Sequence, residues 1–371
     1  MHIAINTLMV HRRLHGTATY VTNLVAALAQ LDARHRYTLY VSDESAVHFQ
    51  GLGPSFELVR CGLPRPLRVL WEQTFLPQDL RRRGVELFHG PGFVVPLAGA
   101  CPRVTTIHDM TFFSLPEVHT FAKRRYFKAL IPLCARASRL VITVSESTRQ
   151  DLVRLVGVRP EKVKVIHLGK SEAFRPVADE ATLSQIRKKY GLDRRFLLFV
   201  GMIEPRKNLE TLVRAYAQLK DLHGDYSLVV AGPFGWKYGP LLRVVETLGL
   251  KNHVLFPGYV PEAELPALYS AAEVFVYPSL AEGFGLPVLE AMACGVPVIT
   301  SNVSSLPGVV GEAALLVDAR SVQQLATAMQ RVLGEEMLRK DLRERGLRRA
   351  QLFTWEKTAR ETLEAYQQAA G

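Results

Sequence analysis

The sequence predicts an α/β protein made of two Rossmann-like domains, each a parallel sheet wrapped by helices, facing a cleft. Short apolar runs alternate with segments of helical period along the whole chain, the pattern of βαβ units. At 371 residues the chain can form two domains, each with its own core. The alternation is broken near Gly169–Pro176, by Leu-Gly-Lys-Ser-Glu-Ala-Phe-Arg-Pro, which separates two βαβ sets of similar size.

The first set holds strand candidates at Ile3–Asn6, Tyr37–Val41, Phe56–Cys61, Leu87–His89, Val104–His108, Val141–Ser145 and Val163–Leu168. The second holds Phe196–Gly201, Ser227–Ala231, Val254–Phe256, Val274–Tyr277, Val296–Thr300 and Ala314–Val317. A helix is expected over Glu262–Ala271, and three close the chain at Val322–Leu333, Glu336–Gln351 and Thr354–Ala370.

Composition removes several classes. Met-His-Ile-Ala-Ile-Asn reads as a strand and lacks the basic start and longer apolar run of a signal peptide. No apolar run approaches the roughly 20 residues that span a bilayer. A cytoplasmic protein is expected, with at most peripheral contact at the inner face of a membrane. Cys61, Cys101, Cys134 and Cys294 are scattered, so reduced, buried thiols are expected. No Asp-x-Asp clamp occurs, and neither a metal nor another cofactor is expected.

Charge is unevenly placed. Residues 1–170 hold 23 Lys and Arg against 12 Asp and Glu, whereas residues 171–371 hold 23 of each. The first half should therefore face something anionic: a lipid surface, a phosphate-bearing acceptor or nucleic acid. His119–Leu140 interleaves Lys123, Arg124, Arg125, Lys128, Arg136 and Arg139 with Phe121, Phe127, Leu130, Ile131 and Leu133, and Arg81–Arg83 end another helix. Such a helix can lie on anionic lipid, or can be a core helix with a charged outer face.

The most informative stretch is 279–302, Ser-Leu-Ala-Glu-Gly-Phe-Gly-Leu-Pro-Val-Leu-Glu-Ala-Met-Ala-Cys-Gly-Val-Pro-Val-Ile-Thr-Ser-Asn. Glu282 stands on a glycine-bearing turn, and Glu290 follows on a short helix that Pro287 opens and Gly295 ends. The N–H groups of Phe284, Gly285 and Leu286 would point out of the helix start, where phosphates and hydroxyls bind. A carboxylate beside that nest and another along the helix suit a nucleotide sugar. By spacing alone, two glutamates could equally be a solvated face.

A second turn, Gly201-Met-Ile-Glu-Pro-Arg-Lys-Asn-Leu-Glu210, follows a strand and opens a helix. Arg206 and Lys207, with Asn208 as the cap, would give fixed positive charge at a helix N-terminus, a diphosphate site; a solvated basic pair is the other reading. His108 ends a strand, where it can orient a hydroxyl, handle a proton or simply be a structural loop histidine. Gly16, between the first strand and the first long helix (Asn6–Tyr20), can bring bare backbone close to a ligand.

The 279–302 string resembles the donor-binding motif of the family 4 retaining glycosyltransferases (glycosyl transferases group 1), prolines and small residues included, and Gly201–Glu210 resembles their phosphate loop. The likeness covers essentially the whole chain. It implies the GT-B fold, with residues 1–170 binding the acceptor, residues 171–354 binding the nucleotide-sugar donor, and the last helix, about 355–371, crossing back to the first domain. It also implies roles: Lys207 and Arg206 on the diphosphate, Glu290 on the ribose, Glu282 on the donor sugar, and His108 near its C6 hydroxyl. Tyr259 and Val260, in Pro257-Gly-Tyr-Val-Pro261, would flank the base. Two positions depart from the pattern: Met202 stands where many relatives carry Arg, and Gly16-Thr-Ala18 where many carry Gly-x-Gly.

The chemistry implied is metal-independent transfer of a hexose with retention. Glu-Pro-Arg-Lys-Asn and Phe-Gly-Leu-Pro-Val-Leu-Glu look most like the bacterial transferases that build O-antigen and other surface polysaccharides, often from GDP-mannose. The acceptor would then be a glycan or a polyprenyl-diphosphate-linked sugar. Two alternatives remain at this point: a nucleotide-sugar epimerase of the same fold, and a non-enzymatic nucleic-acid-binding protein. The second has no recognisable nucleic-acid module, and no nucleic-acid partner is expected.

Overall fold

The computed structural model describes residues 1–11, 16–99 and 101–371. The chain forms two compact units, Met1–Gly169 with Phe353–Gly371, and Lys170–Leu352. Among the described residues the first unit holds β1 (His2–Asn6), β2 (Arg36–Val41), β3 (Phe56–Arg60), β4 (Leu87–Gly90), β5 (Arg103–Ile107), β6 (Leu140–Thr143) and β7 (Val163–Val165). They form one sheet in the order β3-β2-β1-β4-β5-β6-β7, with every pair parallel. The second unit holds β8 (Arg195–Val200), β9 (Tyr226–Ala231), β10 (Val254–Gly258), β11 (Val274–Tyr277), β12 (Val298–Ser301) and β13 (Ala314–Val317), also parallel, in the order β10-β9-β8-β11-β12-β13.

Both sheets are doubly wound. The chain runs outward from β1 or β8, then returns to start again on the other side with β4 or β11. The crevice at the carboxyl ends of those paired central strands is where ligands sit in open α/β sheets. Strands β1, β4, β9 and β11 have no exposed residue, and β8 exposes only Arg195 at its start, as parallel sheets covered on both faces require.

The helices follow local rules. Tyr20, Val21, Leu24, Val25 and Leu28 give helix Thr17–Leu31 its buried stripe. Ser145, Asp179, Ser321 and Thr354 each accept a backbone N–H as N-caps, and Gly157 and Gly191 end their helices in the left-handed conformation. Helix Trp355–Ala370 packs in the first unit against helix Thr17–Leu31 and strands β4 to β6. Tyr366 is fully buried there, with its hydroxyl 2.7 Å from His89 Nδ1.

Three sequence expectations are corrected. The strand expected to reach Leu168 stops at Val165; Ile166 N still bonds Thr143 O before the chain leaves the sheet. The helix expected over Glu262–Ala271 opens as a 3-10 turn, Glu262–Glu264, and is α-helical only over Leu265–Ser270. Pro266, which has no N–H to donate, sits in its first turn. The basic helix covers Phe121–Ala137, shorter than His119–Leu140.

Candidate active site

At the switch point of the second unit, the turn after β8 meets the turn after β11. Gly201 (φ 152°) and Gly232 (φ 143°) let the backbones behind β8 and β9 touch: a Cβ on Gly232 would lie 2.0 Å from Gly201 O. Pro205–Lys207 then forms a 3-10 turn ending at Asn208, which is left-handed at φ 57°. Asn208 occupies the N-cap position without making the expected capping bond. Its Oδ1 takes the Thr211 hydroxyl at 2.8 Å, and its Nδ2 donates to Pro278 O (3.1 Å), after β11, and to Ala319 O (2.6 Å), after β13, tying this turn to both segments. Leu280 N donates to Arg206 O at 2.9 Å and adds a second tie.

These ties set four charges against one another. Lys207 Nζ donates to Glu282 Oε1 at 2.7 Å and to the Tyr277 hydroxyl. Arg206 Nη1 lies 2.8 Å from Glu282 Oε2, and its Nη2 donates to Glu204 Oε1 at 2.8 Å. Ser279 Oγ donates to Glu282 Oε1 at 2.6 Å, and Glu282 N donates to Ser304 Oγ at 2.8 Å. Lys207 and Glu282 are buried. The two cations are balanced by two carboxylates, Glu204 and Glu282, so this is not the solvated basic pair that was the other reading of the motif. Burial alone would raise the Glu282 carboxyl, but Arg206 and Lys207 hold it at about 2, so it is ionised. Burial, with Arg206 beside it, lowers the Lys207 ammonium despite Glu282.

Helix Leu286–Ala293 starts from Gly285 at φ 107°, where a Cβ would press to 2.7 Å from Leu306 Cδ2. Ser305 Oγ bonds the carbonyls of Glu282 (2.9 Å) and Phe284 (2.8 Å), fixing the turn that feeds the helix. Phe284 is buried in this turn. Further along, Glu290 takes a 3.0 Å hydrogen bond from the Tyr269 hydroxyl. Burial raises its carboxyl to about 7 against that bond, with Glu262 adding to the rise. Tyr259 and Val260 follow β10, the edge strand, with Val260 buried.

In the first unit His108 follows β5. Its Nε2 lies 2.7 Å from Pro91 O. A carbonyl only accepts, so Nε2 carries the hydrogen and Nδ1 of the neutral ring is an acceptor. Burial lowers the imidazole, against the Pro91 bond, and Tyr20 and Phe93 meet it edge-on at 5.0 and 5.6 Å. Gly16 (φ 49°) stands at the N-cap of helix Thr17–Leu31; residues 12–15 of the connection read around it lie outside the described residues. The basic helix buries Ile131, Cys134 and Ala135 and exposes Lys123, Arg125, Lys128 and Arg136 together with Phe121 and Leu133. Arg83, of the arginine run, is held by Asp79 and Glu57.

Sequence reasoning assigned no role to Glu204, Tyr277, Ser279 or Tyr269. Glu204 lies inside the motif that was read and could have been found as the nearest carboxylate to Arg206. The other three required the sheet order. All four cysteines are buried and free. Among the described residues no helix is long and apolar enough to cross a membrane, and no group of three or more His, Cys, Asp or Glu is placed to hold a metal ion.

With this geometry in hand, likeness to known proteins is specific. The family described as "Glycosyl transferases group 1" matches residues 184–349, and "Glycosyltransferase Family 4" matches residues 14–170. The chain is 37% identical over 283 residues to O-antigen chain mannosyltransferase B of Escherichia coli, covering 76% of this chain and 74% of that protein. It is 33% identical over 234 residues to the serotype-specific mannosyltransferase WbdA of Escherichia coli, covering 61% of this chain and 28% of that longer protein. A sucrose-phosphate synthase from Thermosynechococcus elongatus superposes with a TM-score of 0.80 at 25% identity, over 99% of this chain and 98% of that one.

Proposed function

The chain belongs to the group 1, family 4 glycosyltransferases, and from that premise we propose that it moves a hexose from a nucleotide diphosphate sugar to a glycan or polyprenyl-linked acceptor, with retention and without a metal. The observation that carries this reading is the buried set Glu204, Arg206, Lys207 and Glu282 at the switch point of the second unit. Two fixed cations there are balanced by carboxylates. A diphosphate bound beside them meets positive charge already in place, while Glu282 takes the hydrogens of the donor sugar's hydroxyls.

As the glycosidic bond breaks, negative charge grows on the leaving diphosphate. Arg206, Lys207 and the N–H groups around Gly285 stabilise it from fixed positions. The departing phosphate takes the acceptor hydroxyl's proton, so no nucleophile from the protein is needed. His108 Nδ1, held as an acceptor by the Pro91 bond, orients a sugar hydroxyl. Glu290 takes the ribose hydroxyls, and Tyr259 and Val260 flank the base.

The mannosyltransferase names of the relatives, together with Glu-Pro-Arg-Lys-Asn, support GDP-mannose as donor and a bacterial surface polysaccharide as product. The acceptor is assigned to the first unit, whose residues carry most of the chain's excess of positive charge. That charge and the exposed lysines and arginines of helix Phe121–Ala137 support peripheral contact with an anionic membrane from the cytoplasmic side.

Thermal-shift titration with GDP, UDP, ADP and their sugars tests the donor. A rise in melting temperature with GDP and GDP-mannose above the others supports the reading. Equal response to all, or to none, contradicts it.

A further inference from the structure

The first unit has its own switch point, and a polar cluster is buried beside it. Asn6 is the last residue of β1, the strand next to β4. Helix Arg65–Thr74, on the connection that crosses from β3 to β4, supplies Arg68 and Glu72 one turn apart. Asn6 Nδ2 donates to Glu72 Oε1 at 3.0 Å, and Arg68 Nε lies 3.8 Å from the same oxygen, an ion pair too long for a hydrogen bond. Arg68 is anchored elsewhere, through Nη1 to Leu8 O at 2.6 Å, and Asn6 Oδ1 takes Leu8 N at 3.1 Å.

The cluster is short of partners. Arg68 Nε is buried without a hydrogen bond. The Glu72 side chain is 10% exposed, and among the described residues its Oε2 has no hydrogen-bond partner. A carboxylate nine-tenths buried with one unfilled oxygen is costly unless something else completes it. Tyr126, half-buried on helix Phe121–Ala137, is close enough for Glu72 and Cys134 to add to the rise that burial gives its phenol.

We propose that Asn6, Arg68 and Glu72 form the subsite for hydroxyl groups of a neutral acceptor sugar. The proposal rests on the reading of the first unit as the acceptor side. The charges choose the ligand class. Glu72 repels a phosphate that Arg68 alone would attract, and Arg68 repels a cation that Glu72 alone would hold. A polyol, which both donates and accepts, satisfies both. Burial raises the Glu72 carboxyl, with Asn6 and Arg68 opposing that rise, and a hydroxyl donated to Oε2 would stabilise the ionised form further.

Saturation-transfer NMR on the intact chain tests the subsite with neutral methyl glycosides of mannose, glucose, galactose, rhamnose and N-acetylglucosamine, beside mannose 6-phosphate. At least one neutral glycoside should bind more tightly than the phosphate. Glu72→Gln should weaken it about tenfold or more, the loss expected for a hydrogen bond to a charged group. Nucleotide binding should not change. Arg68→Lys, which keeps the charge and loses the planar fork, should weaken the same glycoside and serves if Glu72→Gln does not fold. Binding unchanged in a folded variant, no neutral glycoside bound by the wild type, or tighter binding of the 6-phosphate would overturn the proposal. Failure of the wild type to consume any nucleotide sugar would count instead against the transfer reading, since the glycoside titration reads the subsite alone.

Discussion

Lys207 and Glu282 form a buried ion pair at 2.7 Å across 75 residues of sequence, joining the turn after β8 to the turn after β11. Neither residue is free to be lost alone. Removing Glu282 leaves Lys207 buried without its carboxylate, at a cost of about 3–5 kcal/mol, whereas removing Lys207 leaves Glu282 with Arg206 alone and costs less. Lys207→Ala and Glu282→Ala should each abolish turnover and each lower the melting temperature. The double variant Lys207→Met, Glu282→Gln should recover most of the stability and none of the activity. Denaturation midpoints with donor-consumption assays read both, and strictly additive stability losses would count against the pair as described.

Glu290 should make donor binding depend on pH. Its carboxyl stands at about 7 in the fold, against an ordinary value of 4.5. The folded state thus holds this proton more tightly than the unfolded state, and this group's contribution to stability falls as pH rises from about 4.5 to about 7. A ribose diol binds the ionised form, so affinity for a nucleotide sugar should move the other way and strengthen about tenfold between roughly pH 6 and pH 8. Calorimetry in buffers of different ionisation enthalpy should detect proton release on binding. A flat profile, or one that Glu290→Gln leaves as steep, would refute the ribose role.

Gly169 marks where the chain leaves the first unit, and it touches the place where the chain has come back. A Cβ there would lie 2.1 Å from Trp355 N and 2.3 Å from Thr354 C, both backbone atoms that cannot rotate aside. Gly169→Ala should destabilise the first unit by about 1–3 kcal/mol or more. Chemical denaturation followed by tryptophan fluorescence reads this. An unchanged midpoint would contradict the close packing.

Tyr366 ties the last helix to the first sheet through His89, which also reaches Thr106 Oγ1 at 2.8 Å; burial and His108 drive this imidazole down to about 3. Tyr366→Phe removes one partner from a buried neutral ring and should cost about 1–3 kcal/mol with little change in donor affinity. An equilibrium unfolding curve matching wild type would show that the bond contributes nothing.

Much of this was legible in the sequence because it is local. Strand cores, the left-handed glycine at 295 that ends its helix, and the turns after β8 and β11 follow from short-range pattern. The four-charge balance was not legible, because it depends on β11 lying beside β8, and no local signal orders the strands. Asn208 shows the same limit: its side chain is read as a helix cap from its neighbours, yet its Oδ1 takes the Thr211 hydroxyl and its Nδ2 reaches Pro278 O and Ala319 O, 70 and 111 residues away. The His108 tautomer likewise depends on a carbonyl from the β4–β5 connection. Asn6, Arg68 and Glu72 carry no motif and come together only at the switch point.

The most direct test of the central claim is a proton NMR time course of the purified protein. It would be supplied with GDP-mannose, GDP-fucose, UDP-glucose and UDP-galactose in turn, together with EDTA and an octyl α-mannoside acceptor. The account predicts that GDP-mannose is consumed despite the chelator and that the first product formed carries the anomeric configuration of the donor. Consumption of no donor, dependence on a divalent metal, or an inverted product would contradict it.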